Sequence, residues 1–273
     1  MPNIEEISVS DDGPASEKEG LYLKTRISAL WGARSVTYDN AFGHGFCDET
    51  HRTLWRSALE SNARPREGLR VLDVGCGTGF LSLLLADLGC TVTGVDLAPD
   101  MLARARAKAE AARLSITFRD GDAESPPFGP ETFDLIVCRH VVWTLPDPEA
   151  AFRNWHRILV PGGRVMPVEG TWTPRTLWEH LCVGLANVME RLVPTPNYDP
   201  GWQVHYPGNS TNLPFFGGPR AKILAAALER AGYEILCVDR LEDVVAHERA
   251  HAPLGRKPYF WPGRRYIVVG QKR

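Results

Sequence analysis

The sequence predicts an α/β fold, a mostly parallel sheet with helices on both faces, and three observations carry that expectation. Between Arg70 and Gly170 short apolar runs alternate with helical stretches, the pattern of parallel strands joined by crossover helices. Residues 71–80, Val-Leu-Asp-Val-Gly-Cys-Gly-Thr-Gly-Phe, form an apolar strand that stops at an acidic residue and turns through three alternate glycines into a helix. After an irregular stretch from 171 to 219 the alternation resumes.

The first twenty residues carry Glu5, Glu6, Asp11, Asp12, Glu17 and Glu19 among small polar residues, so 1–20 is expected to be a mobile tail. Residues 21–66 are read as an N-terminal helical lid. Residues 71–74 are the first strand, and 81–88 its helix, ended by Gly89. The β-branched run 91–95 is a buried strand, 99–113 an alanine- and arginine-rich helix, and 115–118 a third strand. Beyond Pro126-Pro127, residues 133–138 give a fourth strand. Asp147-Pro148 starts a helix as N-cap and first residue, running to about 159. Pro161-Gly162-Gly163 then turns into a fifth strand over 164–169, closing a core of 67–170. Residues 176–192 have helical spacing, but the following forty or so mix Pro, Gly, Tyr and Trp without period, so 171–219 is read as an inserted cap. A helix over 220–231 closed by Gly232, and strands at 235–238 and 265–270, complete the core within 220–273. The result is a Rossmann-like, seven-stranded sheet.

With 273 residues, 44% hydrophobic and 23% charged, the chain can bury one sizeable core. A net charge of −2 argues against gripping a phosphate backbone, so no nucleic-acid partner is expected. Cysteines 47, 76, 90, 138, 182 and 237 are scattered with no C-x-x-C pair, which suggests neither a zinc site nor a disulfide framework. No metal is expected, and a reducing, cytoplasmic setting fits. No apolar run of about twenty residues is present, so neither secretion nor membrane association is expected.

The glycine spacing narrows the ligand. Glycines let backbone approach a ligand closely, and the following helix offers unpaired N–H groups. A dinucleotide turn reads G-x-G-x-x-G, but here Gly75 and Gly77 are followed by Phe80, and no Gly-Lys-Ser/Thr triplet makes a phosphate loop. Asp96 ends the second strand, seventeen residues after Gly79. It can accept hydrogen bonds from vicinal ribose hydroxyls, the alternative being a cap of the next helix.

Five motifs then follow in order: the Asp73 to Gly79 turn, Gly94-Val95-Asp96, Gly121-Asp122-Ala123-Glu124, Phe133-Asp134-Leu135-Ile136, and Leu159-Val160-Pro161-Gly162-Gly163-Arg164. Together, over residues 71 to about 168, they resemble the small-molecule, type 11-like branch of class I S-adenosylmethionine-dependent methyltransferases. The resemblance implies S-adenosylmethionine as cofactor and S-adenosylhomocysteine as product. It implies that Asp73 and the backbone of Gly75, Cys76, Gly77 and Gly79 hold the methionine portion, Asp96 the ribose, and Leu97 and Met101 the adenine face. Asp122 would take the adenine amino group and the Ala123 N–H the ring, with Cys138 and Arg139 beside the cofactor at the end of the fourth strand. In this family a Tyr-Asp-bearing N-terminal helix often lies over the cofactor, which brings in Tyr38 or Arg34 as partner of its carboxylate. Arg34 is equally explained as a surface residue and Tyr38 as a packing one.

Methyl transfer from a sulfonium needs alignment and water exclusion, and a base only where the acceptor loses a proton. His140, beyond the fourth strand, is the foremost candidate, with His44 in Gly43-His44-Gly45 and His205 between Trp202 and Tyr206. At most one of the three is expected to be catalytic, and His140 is also explained as hydrogen-bonded to backbone. His51, His156, His180, His247 and His251 read as surface or helix-packing residues. Trp172, Trp178, Tyr198, Trp202, Tyr206, Phe215 and Phe216 crowd the cap, where they form an acceptor pocket or the cap's own core. The expected activity is O- or N-methylation of a small molecule in specialised metabolism, by a monomer or homodimer. The alternatives are quinone-type C-methylation and a non-catalytic cofactor-binding protein.

Overall fold

A computed structural model of the chain describes residues 15–171, 173–174, 176–193, 206, 212–259 and 264–273. Its elements run α1 (Ala15–Tyr38), α2 (Glu49–Ala63), β1 (Arg70–Val74), α3 (Phe80–Asp87), β2 (Thr91–Asp96), α4 (Pro99–Ala111), β3 (Thr117–Asp120) and β4 (Phe133–Arg139). After a 3-10 turn at Val142–Thr144 come α5 (Pro148–Ile158), β5 (Leu159–Gly170), α6 (Leu177–Leu192), α7 (Ala221–Arg230), β6 (Tyr233–Asp239), α8 (Glu242–His251) and β7 (Arg265–Lys272).

The seven strands form one sheet in the order β3-β2-β1-β4-β5-β7-β6. The first five are parallel, and β7 runs antiparallel between β5 and β6. The chain reverses its direction of winding between β1 and β4, where Asp73 is in register with both Gly94 and Val137. A crevice outside the carboxyl ends of strands at such a reversal is where open α/β sheets bind ligands.

The central strands are buried on both faces, as their near-continuous apolar runs require. One face is covered by Trp55 and Leu59 of α2, Leu81, Leu84 and Leu85 of α3, and Val244 of α8. The other is covered by Phe152, Trp155 and Ile158 of α5 and by Leu224 and Leu228 of α7. Trp155 also donates from its indole nitrogen to the Ala123 carbonyl at 2.8 Å, fixing the loop after β3. Arg70 and Asp134 make a paired contact between the amino-terminal ends of β1 and β4, at 2.8 and 3.0 Å.

Three boundaries differ from the sequence reading. α1 begins at Ala15, inside the stretch expected to be a tail, and residues 1–14 lie outside the described residues. β3 sits two residues later than expected because Thr93 to Asp96 of β2 pair with Thr117 to Asp120. β5 starts at Leu159, not after the Pro161-Gly162-Gly163 turn, since Phe133 already pairs with Leu159 and a register shift before Leu135 absorbs the turn.

Candidate active site

The glycine turn has the geometry its composition demands. Gly75, Gly77 and Gly79 take φ of 62°, 53° and 87°, the left-handed region closed to most side chains. A Cβ on Gly75 would sit 2.4 Å from Val141 Cγ2, whereas one on Gly77 would meet nothing within 4 Å. The middle of the turn therefore faces open space at the carboxyl edge of the sheet. Asp96 supports it: one oxygen accepts from the Gly77 N–H and the other from the Ala98 N–H, each at 2.8 Å. The carboxylate is partly exposed and keeps further lone pairs for a hydroxyl-bearing ligand. Burial pushes its proton affinity upward against these two donors.

The Asp73 side chain is engaged within the fold. It is buried and accepts from Ser82 Oγ at 2.6 Å, binding β1 to the first turn of α3. Burial raises its carboxyl to about 7. Cys76 packs with Leu102, Ala105 and Phe118, Met101 is buried, and burial drives the Cys76 and Cys138 thiols well above their ordinary range. These side chains fill core, so any contact of Cys76 with a ligand falls to its backbone.

α1 lies along the carboxyl ends of β1, β2 and β3. Its buried residues Leu23 and Ile27, with half-buried Leu30 and Trp31, have helical spacing and pack on Trp143, Tyr206, Leu213, Phe215 and Phe216. Polar contacts of three residues fasten it. Lys24 Nζ donates to Asp122 Oδ2 at 2.7 Å and also pairs with Glu124. Ser28 Oγ donates to the Leu97 carbonyl at 2.7 Å. Beyond the helix end, Asp39 accepts from Thr78 Oγ1 at 2.6 Å and from Lys108 Nζ at 3.0 Å. The helix and the residue after it thus touch Asp122, Leu97 and Thr78, in the loops after β3 and β2 and in the glycine turn. Asp122 holds the Glu124 N–H on its other oxygen, at 2.9 Å.

At the end of β4, Arg139 donates to the His44 carbonyl at 3.1 Å and the Gly43 carbonyl at 2.6 Å, and Arg265 donates to Gly43 at 3.0 Å. Gly43 has φ of 87°, and a Cβ there would lie 2.6 Å from Arg265 Nη2. The Arg139 guanidinium lies 3.8 Å above the Phe80 ring and 5.2 Å from that of Trp55. Burial and the nearby Arg265 lower it to about 10, so it stays charged at neutral pH. Tyr38 packs edge-on to Trp31 and lies against His44, the rings tilted by 37° with centroids 4.3 Å apart. His44 is pulled down to about 3, by burial first and then by Arg139 and Arg265.

His140 has φ of 59°, a conformation that costs a side-chain-bearing residue about 1–3 kcal/mol and that concentrates at functional sites. Its N–H donates to the Val168 carbonyl at 2.9 Å. Burial, then Arg139, Arg265, His44 and Arg264, hold its imidazole well below the usual range. The 3-10 turn that follows is fixed by Glu169, whose Oε1 accepts from the Val142 N–H at 2.7 Å. Glu169 is fully buried, and that burial raises its carboxyl to about 8.

The structure brings Tyr38, His44, Arg139 and His140 together at one end of the crevice, with the glycine turn, Asp96 and Asp122 along it. Arg34 is half-buried on α1, within the electrostatic reach of His44. His205 lies outside the described residues, as do Trp172, Tyr198 and Trp202. Of the remaining cap aromatics, Tyr206, Phe215 and Phe216 join the α1 cluster, but Trp178 is 66% exposed on α6 and is not part of it. Lys24, Ser28, Thr78, Lys108, Glu169 and Arg265 were not legible as site residues. The 3.6-residue period of α1 is the signal that marks Lys24 and Ser28 as neighbours of one face. A cavity of about 330 Å³, lined by Arg64, Arg66, Asp134 and Gly163, opens at the opposite, amino-terminal edge of the sheet, away from these groups.

A doubly wound sheet with a glycine turn and acidic strand ends at its point of reversal is that of an α/β protein built to hold a nucleoside-type cofactor. Residues 72–166 match the family described as "Methyltransferase domain". The chain is 38% identical over 117 residues to the demethylmenaquinone methyltransferase of Thermus thermophilus, covering 42% of this chain and 53% of that protein. It is 40% identical over 99 residues to the ubiquinone biosynthesis O-methyltransferase of Pseudomonas syringae, covering 36% of this chain and 43% of that one. The chain thus matches about half or less of the length of these relatives. Among solved structures, Haemonchus contortus phosphoethanolamine N-methyltransferase 2, in complex with S-adenosylhomocysteine, superposes with a TM-score of 0.60 at 17% identity, over 92% of this chain and 60% of that one. The [4+2]-cyclase SpnF superposes with a TM-score of 0.56 at 21% identity, over 95% and 97%. Both share the fold.

Proposed function

We propose that the protein is an S-adenosylmethionine-dependent methyltransferase acting on a small-molecule acceptor, with α1 as the lid of its cofactor crevice. The carrying observation is the alignment of Gly77, Asp96 and Asp122 along one edge of the sheet under a single helix. When bound, S-adenosylmethionine supplies an electrophilic methyl group on its sulfonium. The Gly77 backbone would lie against the methionine portion, Asp96 would accept from the ribose hydroxyls, and Asp122 would turn toward the adenine amino group. Tyr38 and Arg139 stand where the carboxylate end would lie.

The acceptor would enter between the Trp31, Trp143 and Tyr206 cluster and His140. His140 is held as neutral imidazole, able to accept a hydrogen bond from an acceptor hydroxyl. Arg139, Arg264 and Arg265 give that end a positive field, which favours an acceptor that develops or carries negative charge. This supports O-methylation over N-methylation. Incubating the protein with methyl-labelled cofactor and a panel of phenols, carboxylic acids and amines tests it. Label on oxygen acceptors supports this reading, and label on amines alone overturns the preference.

A second reading, quinone-type methylation, is favoured by α6. Leu177, Trp178, Leu181, Leu185, Val188 and Leu192 line up at helical spacing on that helix, each more than half exposed. Such a stripe suits an acceptor with a long apolar tail. Including a prenylated quinol and its tail-less analogue in the panel separates the two readings.

A further inference from the structure

Two histidines one helical turn apart and an aspartate from a distant element meet beside the site just described. Residues 247–251 read His-Glu-Arg-Ala-His, which sets His247 and His251 at i and i+4 on one side of α8. Facing them is Asp48, the N-cap of α2, whose Oδ1 accepts from the His51 N–H at 2.7 Å. His247 Nε2 lies 3.0 Å from both Asp48 oxygens, and His251 Nε2 lies 3.5 Å from Oδ2. One donor atom from each of the three falls within 4.8 Å of the others. Zinc bonds of about 2.1 Å at tetrahedral angles put neighbouring donors about 3.4 Å apart, so one ion fits among them.

The orientation of His251 gives an independent indication. Its Nδ1 lies 2.9 Å from the His247 carbonyl oxygen, which only accepts, so Nδ1 carries the proton. Nε2 is thereby aimed at the Asp48 carboxylate, where a cation would be held between the two. A ring that donates one N–H to a carbonyl and presents its other nitrogen is the arrangement of a metal-ligating histidine. The His247 and His251 rings stack at 4.1 Å, which holds the two side by side.

On a helix, His-Glu-x-x-His can hold a hydrolytic zinc when the glutamate serves the bound water. Here Glu248 turns inward, fully buried, 3.1 Å from Arg265 Nη1 and 3.4 Å from His51 Nε2. Burial draws its carboxyl upward, but Arg265 and His51 outweigh this and hold it low. An ion at Asp48 would thus have no base beside it.

We propose that Asp48, His247 and His251 form a three-ligand site for a late first-row divalent cation, zinc foremost, which clamps α8 to the start of α2. Imidazole and carboxylate donors suit that class of ion. The site departs from the sequence expectation of no metal because 199 positions separate Asp48 from His247. Its consequence is positional, since the loop before Asp48 carries the Gly43 and His44 carbonyls that hold Arg139.

The test uses the full chain, untagged and stripped with chelator. Cobalt is titrated in and followed by its visible absorption, then zinc by calorimetry and thermal melting. The site predicts one ion per chain, intense tetrahedral cobalt bands displaced by zinc, and a zinc-dependent rise in melting temperature. His251→Ala removes an exposed ligand, and Asp48→Asn keeps the cap while removing the carboxylate. Each should weaken zinc binding at least about 10-fold and abolish the thermal rise. No binding up to about 100 µM zinc, or equal binding by wild type and both variants, overturns the proposal.

Discussion

Thr78 donates its hydroxyl to Asp39 at 2.6 Å, and Lys108 Nζ reaches both residues at 3.0 Å. A residue inside the glycine turn is thereby fastened to the end of the helix beside it, while Lys24, within that helix, holds Asp122. On the proposed placement of the cofactor, its entry beneath α1 would break or loosen one of these latches. Thr78→Val keeps the side chain's shape and removes the hydroxyl donor. Amide exchange in α1 should quicken, and S-adenosylhomocysteine should dissociate on the order of 10-fold faster, as loss of a charge-assisted hydrogen bond implies. Unchanged exchange in α1 would show that the latch does not hold the helix.

Gly75 and Gly77 separate stability from binding. Both have positive φ, but a methyl on Gly75 meets Val141 at 2.4 Å while one on Gly77 meets open space. Gly75→Ala should lower the melting temperature markedly, through a buried clash of about 1–3 kcal/mol added to backbone strain. Gly77→Ala should fold with a loss of about 1 kcal/mol and yet bind the cofactor far more weakly. Normal cofactor affinity in Gly77→Ala would move the ligand away from the turn.

Asp96 carries the ribose assignment. Asp96→Ala removes the acceptor of both backbone donors and of any ribose hydroxyl. S-adenosylhomocysteine affinity should fall by about 1–3 kcal/mol, roughly 5- to 150-fold. Calorimetry giving the wild-type affinity would remove the nucleoside reading.

What was legible in the sequence follows the range of the interactions. Strands β1, β2 and β4 are short apolar runs whose local composition specifies them, and the three glycines of the turn adopt positive φ as their spacing predicts. Asp96 follows from strand-end position alone. The clamps do not: Lys24 meets Asp122 across 98 residues, and Arg265 meets Gly43 across 222. α8 escaped notice because its buried residues are only Val244, Val245 and Glu248 in a polar segment. Asp73 matches its motif by position, yet its side chain serves Ser82, since a carboxylate beneath the turn is satisfied by the nearest hydroxyl.

His140 and His44 are kept neutral by burial and by Arg139 and Arg265, His44 down to about 3. Neither should titrate near the ordinary histidine value. The profile of kcat/KM should therefore lack a limb near the ordinary histidine value of about 6.5, and any rise with pH should follow the acceptor's own ionisation. His140→Ala should lower the rate on the order of 10²-fold without moving the profile. An acid limb near 6.5 that disappears in His140→Ala would instead make it a titrating base.

Glu169 makes stability depend on pH with a definite sign. Its folded-state carboxyl is raised by burial from 4.5 to about 8, and that of Asp73 from 3.8 to about 7. Across this window the folded chain holds protons that the unfolded chain has released. The favourable state is the protonated one, complete below about pH 4, and stability declines as pH rises toward 8. Each group contributes up to about 1.4 kcal/mol per pH unit on the steepest part of its decline. Glu169→Gln retains an oxygen for the Val142 N–H and cannot ionise. Its melting temperature should vary less than that of wild type between pH 5.5 and 8.5 and exceed it at the upper end, with the remaining slope left to Asp73. Parallel melting curves for the two proteins across that range would mean that Glu169 ionises in the folded chain as it does in the unfolded one, with its charge stabilised beside the Val141 turn.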